Sequence, residues 1–193
     1  MLKHSGISFS ILAMVLLLQG CAALVVGGAA TTAVVAHDRR TTGIMVEDQA
    51  IEFKTYDQLA KDEAIKQNSK VNVTSYNKVV LLTGQADSDA IRRKAEQIAS
   101  QVEQVRRVVN EIEIGSTASF GEHSRDVALT TEVKLRLTKV DLPGFDPLRV
   151  KVVTERGSVY LMGLLTKEEA NEVTEVVRYI SGVRRVVKVF EYI

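Results

Sequence analysis

Few side chains in this sequence have the type and spacing to do chemistry. The one cysteine, Cys21, follows Leu18, Gln19 and Gly20. A lone cysteine is usually a small buried hydrophobe. This one closes an apolar run that begins near Ile7 and comes directly after a small residue, which is the grammar of a secretory signal ending at a processing site. His4, His37 and His123 are the histidines, and none lies four residues from another or from Cys21, so the spacing supports no metal site. Ser119 and His123 have the types of a nucleophile and its base. They fall in a stretch that reads as a flexible linker, which cannot hold such a pair in register. Glycine-rich phosphate loops and nucleophile elbows are absent from the sequence. The carboxylates are spread over helix faces. No convergent acid–base set is legible, so the chain reads as non-enzymatic and calls for no cofactor.

Two sets of cations stand out. Arg106-Arg107 and Arg184-Arg185 recur at matching places. Such a pair can bind phosphate, or it can charge the start of an edge strand and so prevent sheet-to-sheet pairing. The other set lies between Thr130 and Val140, where Lys134, Arg136 and Lys139 face one acid, Glu132. Leu129, Val133 and Leu137 recur every four residues and mark the buried side of a helix, so Leu135 points roughly opposite. Leu142 and Phe145 follow in a loop with both prolines of the chain. Surplus apolar groups flanked by basic ones suit a membrane interface. They equally suit packing between domains, with Leu135 and Phe145 buried against the preceding unit.

The elements that must position these residues follow from the patterning. Lys3 and His4 precede the twelve-residue apolar run from Ile7 to Leu18. That run is shorter than the roughly 20 residues a bilayer span needs. Residues 1–20 are therefore expected to be a removed signal, and residues 21–45 a flexible tether rich in alanine, valine and glycine. The whole chain has 193 residues with 25 basic against 24 acidic. Losing the signal, with Lys3, leaves it neutral. No overall field steers it to nucleic acid.

Beyond the tether the sequence repeats itself. Val71 to Gly84 aligns without gaps with Val150 to Gly163, 79 residues later, and Val105 to Val109 aligns with Val183 to Val187, 78 residues later. Each unit reads as helix, hairpin, helix, strand. Ile51, Thr55 and Leu59 mark the first opening helix. Asn77-Lys78 and Arg156-Gly157 are the hairpin turns. Gly84 and Gly163 are expected to end the second strands. Thr166 to Glu169 is a capping box. The expected fold is α+β, with two α-β-β-α-β domains at 46–115 and 124–193 joined by a linker at 116–123. Each domain should have a three-stranded mixed sheet with two helices on one face. The first unit is slightly acidic and the second slightly basic.

These marks carry two resemblances. Leu18 to Cys21 resembles the lipobox of bacterial lipoproteins, which implies acylation of Cys21, palmitate included, and cleavage before it. Ala22 is not aspartate, which in that group goes with sorting to the outer membrane. The two hairpins ending at Gly84 and Gly163, each followed by a late Val-rich strand, resemble the BON family. A tandem pair behind a lipobox resembles the dual BON-domain outer-membrane lipoproteins. The resemblance implies a periplasm-facing protein, anchored in the outer membrane through Cys21, that supports envelope integrity. It implies that the second domain binds anionic phospholipid such as phosphatidylglycerol or cardiolipin, chiefly through its opening helix, and that the protein gathers at the division site. On this chain the lipid-binding set would be Lys134, Leu135, Arg136, Lys139, Leu142 and Phe145. Ala128 stands where a large aromatic is found in such proteins. The other reading is a scaffold that docks an envelope-protein partner.

Overall fold

The computed structural model describes residues 38–116 and 118–193. Cys21, the signal and the tether up to residue 37 lie outside the described residues.

The first repeat opens with α1 (Thr42–Lys61). Thr41 caps it, its hydroxyl accepting from the Ile44 amide. The helix thus begins within the stretch expected to be tether. Its buried side is Ile51, Thr55 and Leu59, the spacing of one face in every turn. Asp62 ends α1 and caps α2 (Glu63–Asn68), a short helix the periodicity did not signal. The hairpin of β1 (Ser69–Tyr76) and β2 (Val79–Ala86) follows, then α3 (Asp89–Ser100). The closing strand is interrupted. It is β3 (Arg107–Asn110) and then β4 (Glu113–Ile114), with Ile112 buried in the break between them.

The second repeat has α4 (Phe120–Leu137), β5 (Lys151–Glu155), β6 (Ser158–Leu165), α5 (Lys167–Arg178) and β7 (Arg185–Tyr192). Ser119 and Glu122 form a complete capping box, so α4 starts inside the expected linker. Ser119 is a cap with its hydroxyl committed to Glu122, and His123 sits in the first turn of the helix. In both domains the middle strand pairs antiparallel with its hairpin partner and parallel with the closing strand, giving mixed sheets.

The hairpin turns need positive φ at both central positions. Asn77 and Lys78 adopt it (50° and 65°), as do Arg156 and Gly157 (47° and 74°). Each turn is latched by a buried aspartate from the opening helix. Asp48 accepts from the amides of Asn77 and Lys78 at 2.7 Å each, and Asp126 accepts from those of Arg156 and Gly157 at 2.7 and 2.8 Å. The two aspartates hold the same place in the two repeats. Gly84 and Gly163 do not end their strands, which run on to Ala86 and Leu165. They mark close backbone approach instead. A Cβ on Gly84 would lie 2.0 Å from the Lys70 carbonyl oxygen, and one on Gly163 would lie 2.9 Å from that of Arg149.

Every residue of β2 is buried, and β6 is nearly so. Alternate side chains along a strand point to opposite faces, so both faces of these strands must be covered. Val80, Leu82 and Ala86 meet α1 and α3, while Val159, Leu161 and Leu165 meet α4 and α5. The opposite faces meet each other: Tyr76, Val79 and Leu81 pack against Tyr160, Met162 and Val189. The layers therefore run helix, sheet, sheet, helix. Polar pairs ring the seam. Glu155 accepts from Gln85 and Asn72, Lys151 donates to Glu52 at 2.9 Å, Arg106 pairs with Glu191, and Arg185 pairs with Glu111 at 2.8 Å. The recurring arginine pairs thus contribute Arg106 and Arg185 to the bond between domains. A strap crosses the same seam just ahead of α1. Arg39 donates to Glu169 at 2.6 and 2.8 Å and to the Leu164 carbonyl at 2.9 Å, all in the second domain. Arg40 lies 3.7 Å over the Tyr76 ring and donates to Asp48, both in the first.

Candidate functional site

The outer side of α4 is the candidate interface. Its inner side, Leu129, Val133 and Leu137, is buried in the domain core, so the helix cannot turn to hide what lies opposite. Opposite lie Phe120, Val127 and Leu135, which are 87%, 55% and 54% exposed. They are seven and eight residues apart, close to two turns each, and line one stripe. Of the two readings of Leu135, the alternative that buried it against the first unit does not hold. The first domain is engaged by the sheet, and α4 lies on the outer layer.

The cations divide. Arg136 donates from Nε to Glu132 at 2.7 Å, one turn back, so its charge is balanced locally. Lys134 and Lys139 form no ion pair among the described residues. Lys134 flanks Leu135 near the end of α4, and Lys139 lies just beyond it. The loop residues are placed differently from the exposed set they were grouped with. Leu142 is half-buried, and Phe145 packs with Val140 against the domain core. Phe145 is therefore partly buried against the core, and Leu148 of that loop is exposed.

Phe120 and Val127 were not singled out from sequence. Phe120 was assigned to the linker, and Val127 precedes the stripe that was read. The capping-box pattern Ser119-x-x-Glu122 was the signal that places both on the helix. The cap also fixes the local electrostatics. Hydrogen bonds from the Ser119 amide and hydroxyl hold the Glu122 carboxyl below its ordinary range, with Arg156 and Arg125 nearby.

A second apolar stripe lies on α1. Val46, Phe53 and Tyr56 are exposed on its outer side, Phe53 at 75%. Its neighbouring lysines are paired, Lys54 with Glu103 and Lys61 with Asp57. The acidic balance of this helix hid the stripe, because charge was read along the segment and not around it. No helix among the described residues is long and apolar enough to cross a membrane. Among the same residues no three His, Cys, Asp or Glu side chains are grouped to hold a metal ion.

Comparison with known proteins follows this architecture. The BON domain model matches residues 47–116 and again 125–193. The chain is 41% identical to the outer membrane lipoprotein DolP of Haemophilus influenzae over 184 residues, covering 95% of this chain and 94% of that one. It is 35% identical to a 21 kDa hemolysin of Actinobacillus pleuropneumoniae, covering 81% and 79% of the two chains. It is 30% identical to the osmotically-inducible protein Y of Escherichia coli, covering 75% and 72%.

Proposed function

The chain belongs to the BON-domain family, and from that membership we propose that it acts as a non-catalytic lipoprotein whose second domain binds anionic phospholipid at the membrane surface. It is an outer-membrane lipoprotein, as its Haemophilus relative is by name. Cys21 carries the acyl chains and supplies most of the anchoring, since a single chain holds only marginally and a second signal is needed for stable attachment. The folded domain adds selectivity. One observation carries this reading: the stripe of Phe120, Val127 and Leu135 stands exposed on a helix whose other side is locked in the core, beside Lys134 and Lys139, which form no ion pair among the described residues. The apolar groups enter the interface, and the lysines meet lipid phosphates. Support for outer-membrane integrity, at the division site, is the cellular role that fits such an anchored lipid reader.

The test is co-sedimentation of residues 38–193, which hold both cores, with zwitterionic vesicles and with vesicles containing phosphatidylglycerol. Selective, salt-weakened binding to the anionic vesicles is expected. Lys134→Glu removes one favourable charge and adds an unfavourable one, about 2 kcal/mol at about 1 kcal/mol per charge near the surface, or roughly thirty-fold in affinity. Leu135→Glu should abolish binding. Unchanged binding by both variants, each with a wild-type melting profile, would overturn the reading.

The α1 stripe favours a second role. The lysines beside its apolar groups, Lys54 and Lys61, are paired with acids, which suits a protein surface better than an anionic one. An envelope protein docked there would be lost from detergent pull-downs by Phe53→Glu and retained by Lys134→Glu.

A further inference from the structure

Each opening helix is entered by a short leader that crosses to the other domain. Thr41 and Ser119 cap α1 and α4 at matching places, so Arg39 and Arg40 correspond to Thr117 and Ala118. Arg39 donates to the Leu164 carbonyl at 2.9 Å, and the Ala118 amide donates to the Gln85 side chain at 2.9 Å. Leu164 and Gln85 directly follow the matched glycines Gly163 and Gly84, so the two crossings are reciprocal. They are held in different ways. The α4 leader continues from β4 and is fixed by the chain itself. The α1 leader continues from the tether, so its own side chains must hold it down, and the two arginines stand at that place.

Their contacts close a ring. Arg39 forks onto both oxygens of Glu169 at 2.6 and 2.8 Å, and Arg149 reaches the same carboxylate at 3.4 Å. The Arg149 carbonyl accepts from the Tyr76 hydroxyl at 3.4 Å, and Arg40 lies 3.7 Å over the Tyr76 ring. The ring thus leaves the leader for the second domain and returns to it through the first. Exposed ion pairs contribute little to stability. This one is sheltered, with Glu169 only 4% exposed, so removing one partner leaves a buried charge without its match. Glu169 is also the third residue of the α5 capping box, which holds it in place for the fork. Behind the ring lies the apolar seam, with Tyr76 and Leu81 against Tyr160 and Met162.

We infer that Arg39 and Arg40 form a releasable clasp, in which the end of the tether holds the two domains together and a pull along the tether lets them part. Chain order supplies the coupling. Such a pull reaches the leader before it reaches α1 or either sheet. While the clasp is closed, both sheet faces stay covered. Once Arg39 leaves Glu169, the ring is broken on the second-domain side and the seam loses its cover at that end.

Met162 is a native reporter, fully buried in the seam, and Met45 in α1 is partly exposed. The first experiment treats the full lipoprotein in dodecyl maltoside micelles with hydrogen peroxide and follows each sulfoxide by mass spectrometry. Arg39→Ala and Glu169→Gln should each speed Met162 oxidation at least about ten-fold, as loss of a charge-assisted pair does. The double variant should be no faster than the faster single, because both act through one contact. Asp126→Asn, which weakens the second domain away from the clasp, should leave Met162 slower than Arg39→Ala does at an equal loss of melting temperature. Unchanged Met162, acceleration of Met45 alone, or equal acceleration by Asp126→Asn would overturn the clasp. The second experiment pulls the mature unacylated chain between the Cys21 thiol and a handle on Ile193. Tyr192 pairs with Leu165, so this handle lies beside the clasp and loads it directly. An extension before either domain unfolds is expected, and Arg39→Ala should abolish it. Absence of that step in the wild type, or its persistence in the variant, would deny that the tether works the clasp. Neither experiment contains phospholipid, so failure here leaves the lipid-binding reading standing.

Discussion

Asp48 and Asp126 each do work that no local pattern announces. Each is buried, and each gives both carboxylate oxygens to the amides of a tight turn about 30 residues away. The turn residues Lys78 and Arg156 hold a left-handed conformation that side chains other than glycine resist, and the latch is what fixes them there. Hydrogen bonds to a charged group contribute about 1.5–3 kcal/mol. Asp126→Ala should therefore lower the unfolding free energy by about 2–3 kcal/mol, and Asp126→Asn, which keeps one acceptor, by about half of that. Urea denaturation of both variants decides the matter, and equal loss from the two would deny that the second oxygen counts. Asp48 has more partners, since it also accepts from the Ser75 hydroxyl at 2.7 Å and from Arg40, so Asp48→Ala should be the more damaging change.

At the scale of elements, the glycines of the two middle strands make a graded test. Gly84 has φ +109° and sits against the Lys70 carbonyl, while Gly163 keeps an ordinary φ with the Arg149 carbonyl further off. Gly84→Ala should cost more than 3 kcal/mol, on the order of the largest single-site effects, and Gly163→Ala about 1–2 kcal/mol. A reversed order in thermal melts would sink the account. The hairpins, the core triads and the capping box at Thr166 were legible because each is written within one turn or one strand. The start of α4 was not, because Phe120 and Gly121 resemble linker and only Ser119 with Glu122 argues otherwise. The packing of the two sheets lay half in view. Val79 to Leu82 and Val159 to Met162 are apolar without alternation, which is what burial on both faces requires, but the run does not say what covers the second face. Leu135 was found because the core triad defines its opposite. Phe145 was misplaced because a loop has no period to say which way its side chain turns.

At the scale of the molecule, the sheet-to-sheet seam makes two small domains one body, and its chemistry gives that body a defined alkaline limit. Tyr160 lies in the seam between Val79, Leu81 and Met162, and its hydroxyl accepts from Arg185, which also binds Glu111 of the first domain. Burial pushes its phenol up to about 12, the Arg185 charge pulling the other way and Glu111 adding to the rise. An unfolded tyrosine ionises near 10. The folded state therefore resists losing this proton while the unfolded state gives it up. The stabilisation is complete below about pH 10 and is lost as pH rises from there through about 12. Arg185 keeps its charge throughout, since Glu111 and Tyr160 raise its own ionisation further despite partial burial. Melting temperatures measured from pH 9 to 11.5 should fall steeply in the wild type and less steeply in Tyr160→Phe. Some slope should remain, because burial raises Tyr56 as well. If the two slopes coincide, the seam is not what fails in alkali. If they diverge as expected, the same variant at neutral pH reports the worth of the Arg185 contact, and the docking of the domains becomes separable from the stability of either one.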